Sequence, residues 1–378
     1  MFSSAVVGRK KINELNRRKP LNEIPLTTEI LQEMNTIPLL IKIAKIGNKN
    51  VLFQLFNDHL ITYNITEQES GFMYYRAKFS KNQQEKLNKK KYSLGKDDTT
   101  KYKEISILNN FPPETIPPIA IFNHSKTVII GGFWSGELMV LDFNNKQYFF
   151  RNKEKTPVTS ITIDVYDYFI VCGTKKGSIY VLKNRGTELG EHTVLKTQKS
   201  EIVDIVINNQ LNILLSLSKD GYAAVYTYPS FKLINYFYVH SNVNQCFISN
   251  CPLPCFVFLI DNKTAFKSVS LNGEFLIEQK VIGDIKHVRM FKDFEFSEYL
   301  VYAVTDSSES NTVEIRTLPY LQIESSFVRP TFNNDILDMD VANDNSYLIL
   351  LEKGNQREKH QLIVVREETT DKQKMTNT

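Results

Sequence analysis

Gly132-Phe133-Trp134-Ser135-Gly136-Glu137-Leu138, running on into Met139-Val140-Leu141-Asp142-Phe143, decides the fold of this chain. An apolar run through Ile129-Ile130-Gly131 precedes it, so the segment reads as strand, tight turn, strand. Gly136 supplies the positive φ that such a turn needs. The same grammar returns in Val171-Cys172-Gly173-Thr174-Lys175-Lys176-Gly177-Ser178-Ile179-Tyr180-Val181-Leu182. It returns again in Leu215-Ser216-Leu217-Ser218-Lys219-Asp220-Gly221-Tyr222-Ala223-Ala224-Val225-Tyr226. The turn glycines 136, 177 and 221 stand 41 and 44 residues apart, the period of four-stranded propeller blades.

Counting outward from these three copies gives seven units between residues 38 and 368, an all-β, seven-bladed propeller. Residues 1–37 differ in kind. Lys10-Lys11 and Arg17-Arg18-Lys19-Pro20 make a basic extension, and 27–34 has the composition of one or two helical turns. A propeller closes by lending a strand from one terminus to a blade begun at the other, and the segment at or just before Pro38 is the candidate. Residues 80–115 read as a polar insertion after the first blade, and 369–378 as a disordered tail. The lysines at 86 and 89–91 fit a solvated loop better than a headgroup-binding patch.

Composition excludes several classes. A net charge of +4 over 378 residues, without an arginine stripe interleaved with aromatics, points away from nucleic acid. No signal peptide or apolar run of spanning length is visible, so the chain reads as cytoplasmic. Cys246, Cys251 and Cys255 lack a second ligand pair at zinc spacing, and Cys172 ends a strand. All four read as reduced structural cysteines, with no metal and no cofactor. Asp164, Asp167 and Asp204 are the carboxylates a propeller hydrolase would draw on. They share no motif, the six histidines show no triad or metal spacing, and no nucleophile elbow or phosphate loop is present. No catalytic residue is assigned, and the enzyme reading ranks below a binding platform.

Gly131-Gly132-Phe133-Trp134-Ser135-Gly136-Glu137-Leu138-Met139-Val140 resembles a blade phrase of the C-terminal WD40 propeller in BEACH-domain proteins, the neurobeachin and beige-like anchor group. Pro157–Ile161, Glu201–Ile207 with Leu211–Gly221, and Ser268–Leu276 are similar to further phrases of that propeller. The likeness spans most of 38–368 and is most specific in the second to fifth blades. It implies a WD40-like, non-catalytic scaffold for proteins of vesicle traffic or membrane dynamics, peripheral to endomembranes. A propeller binding phosphoinositides or other anionic lipids is the alternative. Its paired-arginine signature appears here only as Arg17-Arg18, outside any blade.

Two departures stand out. Ser135 occupies the usual aspartate position, and the BEACH and pleckstrin-like domains are missing, so the sequence is either a fragment or a free-standing propeller. Candidate partner contacts are the residues on inter-strand turns: Phe133, Trp134, Lys175, Lys176, Lys219 and Tyr222. For Trp134, the only tryptophan, packing between blades is favoured over an exposed hot spot.

Overall fold

The computed structural model describes residues 26–34, 37–46, 49–56, 59–65, 74–78, 117–122, 127–133, 135–142, 146–185, 189–250, 253–292, 298–305, 311–328, 336–341, 347–352 and 360–367. The 80–115 insertion, the 369–378 tail, residues 1–25, Trp134 and Cys251 lie outside these residues. Among the described residues, 28 strands pair into seven four-stranded antiparallel sheets, accompanied by one short 3₁₀ turn at Asp261–Lys263.

Each sheet begins with a strand near the axis. In order these are Leu40–Ile46, Ile119–Ile121, Val158–Ile163, Ile202–Asn208, Val243–Ser249, Asp284–Lys292 and Ile336–Val341. Second strands are mostly apolar because neighbouring sheets cover both of their faces. Ile213–Ser218 and Cys255–Ile260 are buried at every position. Outer strands behave differently: Leu233–Tyr238 and Phe275–Lys280 are exposed at four of six positions.

The core is a circuit of layers between sheets. Leu55 and Met139 belong to the layer joining the first and second sheets, Val140 and Tyr180 to that joining the second and third, and Val181 and Tyr226 to the next. Phe258 with Leu217, Tyr302 with Phe266, and Met339 with Val301 continue the series to the seventh sheet. The first and last axial strands then meet, where Ile41 N and Ile43 N donate to Asp338 Oδ2 at 2.8 Å and Asp340 Oδ2 at 2.6 Å. The architecture is an all-β propeller.

The seventh sheet is completed by Leu26–Met34, which pairs antiparallel with His360–Glu367 from Leu26↔Glu367 to Met34↔His360. This corrects the helical reading of 27–34 and draws part of the 1–37 extension into the ring. Glu29, Gln32 and Glu33 favour helix only weakly. The row of backbone groups offered by His360–Glu367 outweighs that preference.

The repeat that opened the sequence is also a repeat in geometry. Gly136 N donates to Phe133 O at 3.0 Å, Gly177 N to Thr174 O at 3.1 Å, and Gly221 N to Ser218 O at 2.9 Å. The three glycines have φ of 72°, 88° and 89°. A second repeat, not anticipated from sequence, links Thr227-Tyr228-Pro229-Ser230-Phe231 with Thr317-Leu318-Pro319-Tyr320-Leu321, ninety residues on. In both turns the fifth residue takes a positive φ (53° at Phe231, 57° at Leu321) and its N–H returns to the threonine carbonyl.

Candidate docking rim and axial charge cluster

The described turn residues proposed from sequence lie at or beside the same glycine turn in three successive sheets, at different positions of it, and they do not share one environment. Phe133 is 4% exposed and packs in the layer between the first two sheets, so its ring is unavailable to a partner. That assignment is corrected: a strand-end aromatic next to a tight turn can fold back on the core. Lys175 and Lys176 are exposed on the turn before Gly177. Lys219 is exposed and lies 3.4 Å from Glu201 Oε2. Tyr222 is half-buried, stacked on Tyr236 (5.1 Å between centroids, 6° between planes) and edge-on to Tyr238 at 5.4 Å.

Tyr222 therefore leads to a surface that sequence reasoning missed. The outer strand of the fourth sheet carries Leu233, Ile234, Tyr236 and Tyr238, all exposed, with Ile234 at 56% and Tyr238 at 55%. No charged residue interrupts Leu233–Tyr238. Ile234 is the extra residue of a bulge opposite Val225/Tyr226, and Leu276 occupies the matching bulge in the fifth sheet. Bulges re-aim side chains and twist an edge away from neighbours, which lets apolar residues face outward without a flat, sticky edge.

The apolar arc continues around the ring. Asn235 Nδ2 donates to Asn272 O at 2.9 Å, tying the fourth outer strand to the turn before exposed Phe275. Lys267 sits over the Phe275 ring at 5.9 Å and donates to Val239 O at 2.8 Å, crossing the same joint. Beyond it, a cleft of 650 Å³ separates the fifth outer strand from the Thr317–Leu321 turn and the Ile323 end of the sixth. Period-2 alternation could have flagged these strands, but alternation alone does not say which face looks outward.

A second constellation surrounds the axis. Arg289 Nε donates to Asp340 Oδ1 at 2.9 Å and its Nη2 to Asp338 Oδ1 at 3.3 Å, while His287 Nδ1 lies 3.3 Å from that same oxygen. Met339 N also donates to Asp338. Asp204, on the fourth axial strand, accepts from Ile205 N and Cys246 N, both at 2.9 Å. Burial lowers the Lys42 ammonium and raises the Asp204 carboxyl from their ordinary ranges. These groups work as staples: carboxylates on one axial strand hold backbone N–H groups of the next sheet, so each buried charge is hydrogen-bonded.

The carboxylates considered for catalysis resolve in the same way. Asp164 is buried and caps its own hairpin, accepting from Phe169 N at 2.6 Å and Tyr166 N at 3.3 Å. Asp167, at φ 58°, shapes that same turn, and Asp204 serves the axial joint. Cys172, Cys246 and Cys255 are buried free thiols, and burial raises the pKa of each. Among the described residues no group of three or more His, Cys, Asp or Glu could hold a metal, and no helix is long and apolar enough to cross a membrane.

The axial cluster makes a prediction about pH. Burial, reinforced by Arg289 and Lys263, lowers His287 to about 3, so it stays neutral in the fold. Below about 6.5 the unfolded chain takes up that proton first, and stability falls with pH. Burial raises Asp338 to about 6, against the pull of Arg289 and the Ile41 N–H. There the fold binds the proton first, and stability rises as pH falls from about 6 to about 4. The two slopes oppose each other in the native protein. In His287→Gln only the Asp338 slope remains, with Lys42, Asp204, Arg289 and Asp340 a background common to both proteins. The melting temperature of the variant relative to native should rise between pH 7 and pH 5. Parallel profiles for the two proteins would refute the opposition.

No family model matches the sequence, and no curated protein matches it. Solved structures do: 1517 chains match, so the architecture is a common one and cannot by itself name a function. One of them, a chain in the crystal structure of the mitotic checkpoint complex, superimposes with a TM-score of 0.63 at 10% identity. The match covers 92% of this chain and 94% of that one. At that identity the likeness establishes the fold alone, a WD40-like β-propeller.

Proposed function

We propose that this chain is a non-catalytic protein-interaction scaffold whose seven sheets act as the seven blades of one ring. The observation that carries the reading is the apolar arc on the outer strands of the fourth to sixth sheets. Tyr236, Tyr238, Phe275 and Ile323 on those strands, and Ile282 in the link after the fifth, are each at least 40% exposed. Contiguous exposed aromatics backed by a rigid sheet are the usual anchors of protein interfaces, and the buried staples of the ring hold them in place. The similar solved chain belongs to a complex, which accords with a binding role. The wider setting, vesicle traffic or membrane dynamics at cytoplasmic endomembranes, is supported by the likeness of 131–140 and 201–221 to BEACH-protein propellers.

Proximity labelling in cells with the native chain and the double variant Ile234→Lys/Tyr238→Lys tests the scaffold reading. Both side chains are more than half exposed, so the melting temperature should hold within a few degrees. Partner recovery should drop roughly thirtyfold, the equivalent of one aromatic hot spot. An unchanged set of labelled partners would remove the rim from the interface.

A further inference from the structure

The cleft between the fifth and sixth sheets has a chemistry of its own. Its base is Arg316, which is buried and fully engaged. Its Nε meets the Tyr302 hydroxyl, its Nη1 donates to Leu321 O at 2.8 Å, and its Nη2 donates to Glu314 at 3.2 Å. Arg316 and Glu314 therefore neutralise each other beneath the opening. Lys280, at the cleft edge, is exposed, and its ammonium has no partner among the described residues. The lining thus carries one uncompensated positive charge beside walls made of the apolar side chains of Ile277, Ile282, Tyr320 and Ile323, with Gln279 and Gln322 between them.

Those walls are more exposed than the fold requires. Ile282 is 90% exposed, Tyr320 54% and Ile323 56%. Tyr320 is the informative one, because the equivalent position in the repeated turn of the fourth sheet is Ser230, also exposed. Both turns keep the same backbone bonds and the same left-handed fifth residue, so the turn forms with a serine there. The Tyr320 ring is an addition to the turn and faces the cleft.

Resting on the scaffold reading, we infer that this cleft receives a short partner segment that places two large apolar side chains against Tyr320 and Ile323 and one carboxylate against Lys280. A volume of 650 Å³ holds two or three such side chains. The positive charge sets the sign of the partner, and the apolar walls hold its side chains out of water.

The full chain is panned with a phage-displayed library of random peptides about twelve residues long. Enriched peptides should combine one Asp or Glu with at least two large apolar residues. Tyr320→Ser, which copies the residue at the sister turn, should weaken the selected peptides roughly tenfold with the melting temperature held. Lys280→Glu should move the selection toward Lys- and Arg-bearing peptides. No enrichment, equal binding by Tyr320→Ser, or a charge preference indifferent to Lys280→Glu would each overturn the assignment. If that happens while labelling still depends on Ile234 and Tyr238, the cleft fails and the scaffold reading stands. If both fail, the scaffold reading falls with it.

Discussion

Removing residues 1–34 should leave a protein that does not complete its seventh sheet, and its cooperative melting transition should drop by well over ten degrees or vanish. Leu26–Met34 pairs with His360–Glu367 over eight aligned positions and forms the outer strand of that sheet. At about 1 kcal/mol net per backbone hydrogen bond, losing the strand forfeits several kcal/mol. That is comparable to the whole margin of a typical domain, about 5–15 kcal/mol. The loss is also topological. Without this strand, the closing backbone bonds among the described residues are those of Asp338 and Asp340 to Ile41 and Ile43 at the axis. Calorimetry of the truncated chain against a control lacking only residues 1–25 isolates the contribution of the strand. Equal transitions would show that the axial bonds suffice.

Gly221→Val should rank with that truncation. Gly221 sits at φ 89°, where a branched side chain is strained whatever the space around it. A Cβ added there would also meet His240 O at 2.1 Å, a backbone atom that cannot step aside. The carbonyl of Gly221 accepts from Val239 N at 2.8 Å, so relief by moving the turn would break the end of the outer strand. A loss above about 3 kcal/mol is expected, read as a lower denaturation midpoint and a reduced soluble yield. Gly190→Ala is the matching control. Its added Cβ would face the far end of the Arg185 side chain at 3.0 Å and needs no positive φ, so its effect should stay within about 1 kcal/mol. Similar losses in both variants would mean the turn geometry is not the cause.

The propeller was legible in the sequence because its grammar is local. A glycine forced into a left-handed turn and a second strand buried on both faces recur at a fixed spacing, and each can be read from a dozen residues. What escaped was decided by distant parts of the chain. Leu26–Met34 has the composition of a weak helix and becomes a strand only because His360–Glu367 stands ready to pair with it. Phe133 adjoins a surface turn in sequence, yet the neighbouring sheet supplies the apolar layer that buries it. The Tyr222 assignment led to the rim because a tyrosine after the turn glycine stacks on the adjacent outer strand. The remainder of that rim depends on which face of an outer strand looks outward, a fact fixed by the ring as a whole. A signal in the sequence for this turn is the repeat of Thr227–Phe231 in Thr317–Leu321, which marks position 320 as Tyr where the other copy has Ser230.

The pairing of Leu26 with Glu367 also fixes an order of events during synthesis. At translation speeds of about 5–20 residues per second, Leu26–Met34 leaves the ribosome roughly fifteen to seventy seconds before its partner strand exists. Throughout that interval the segment lacks the partner that makes it a strand, and any sheets already formed keep open edges. Closure of the seventh sheet therefore cannot precede the emergence of residues 360–367, and until then the edge it covers is open to mispairing.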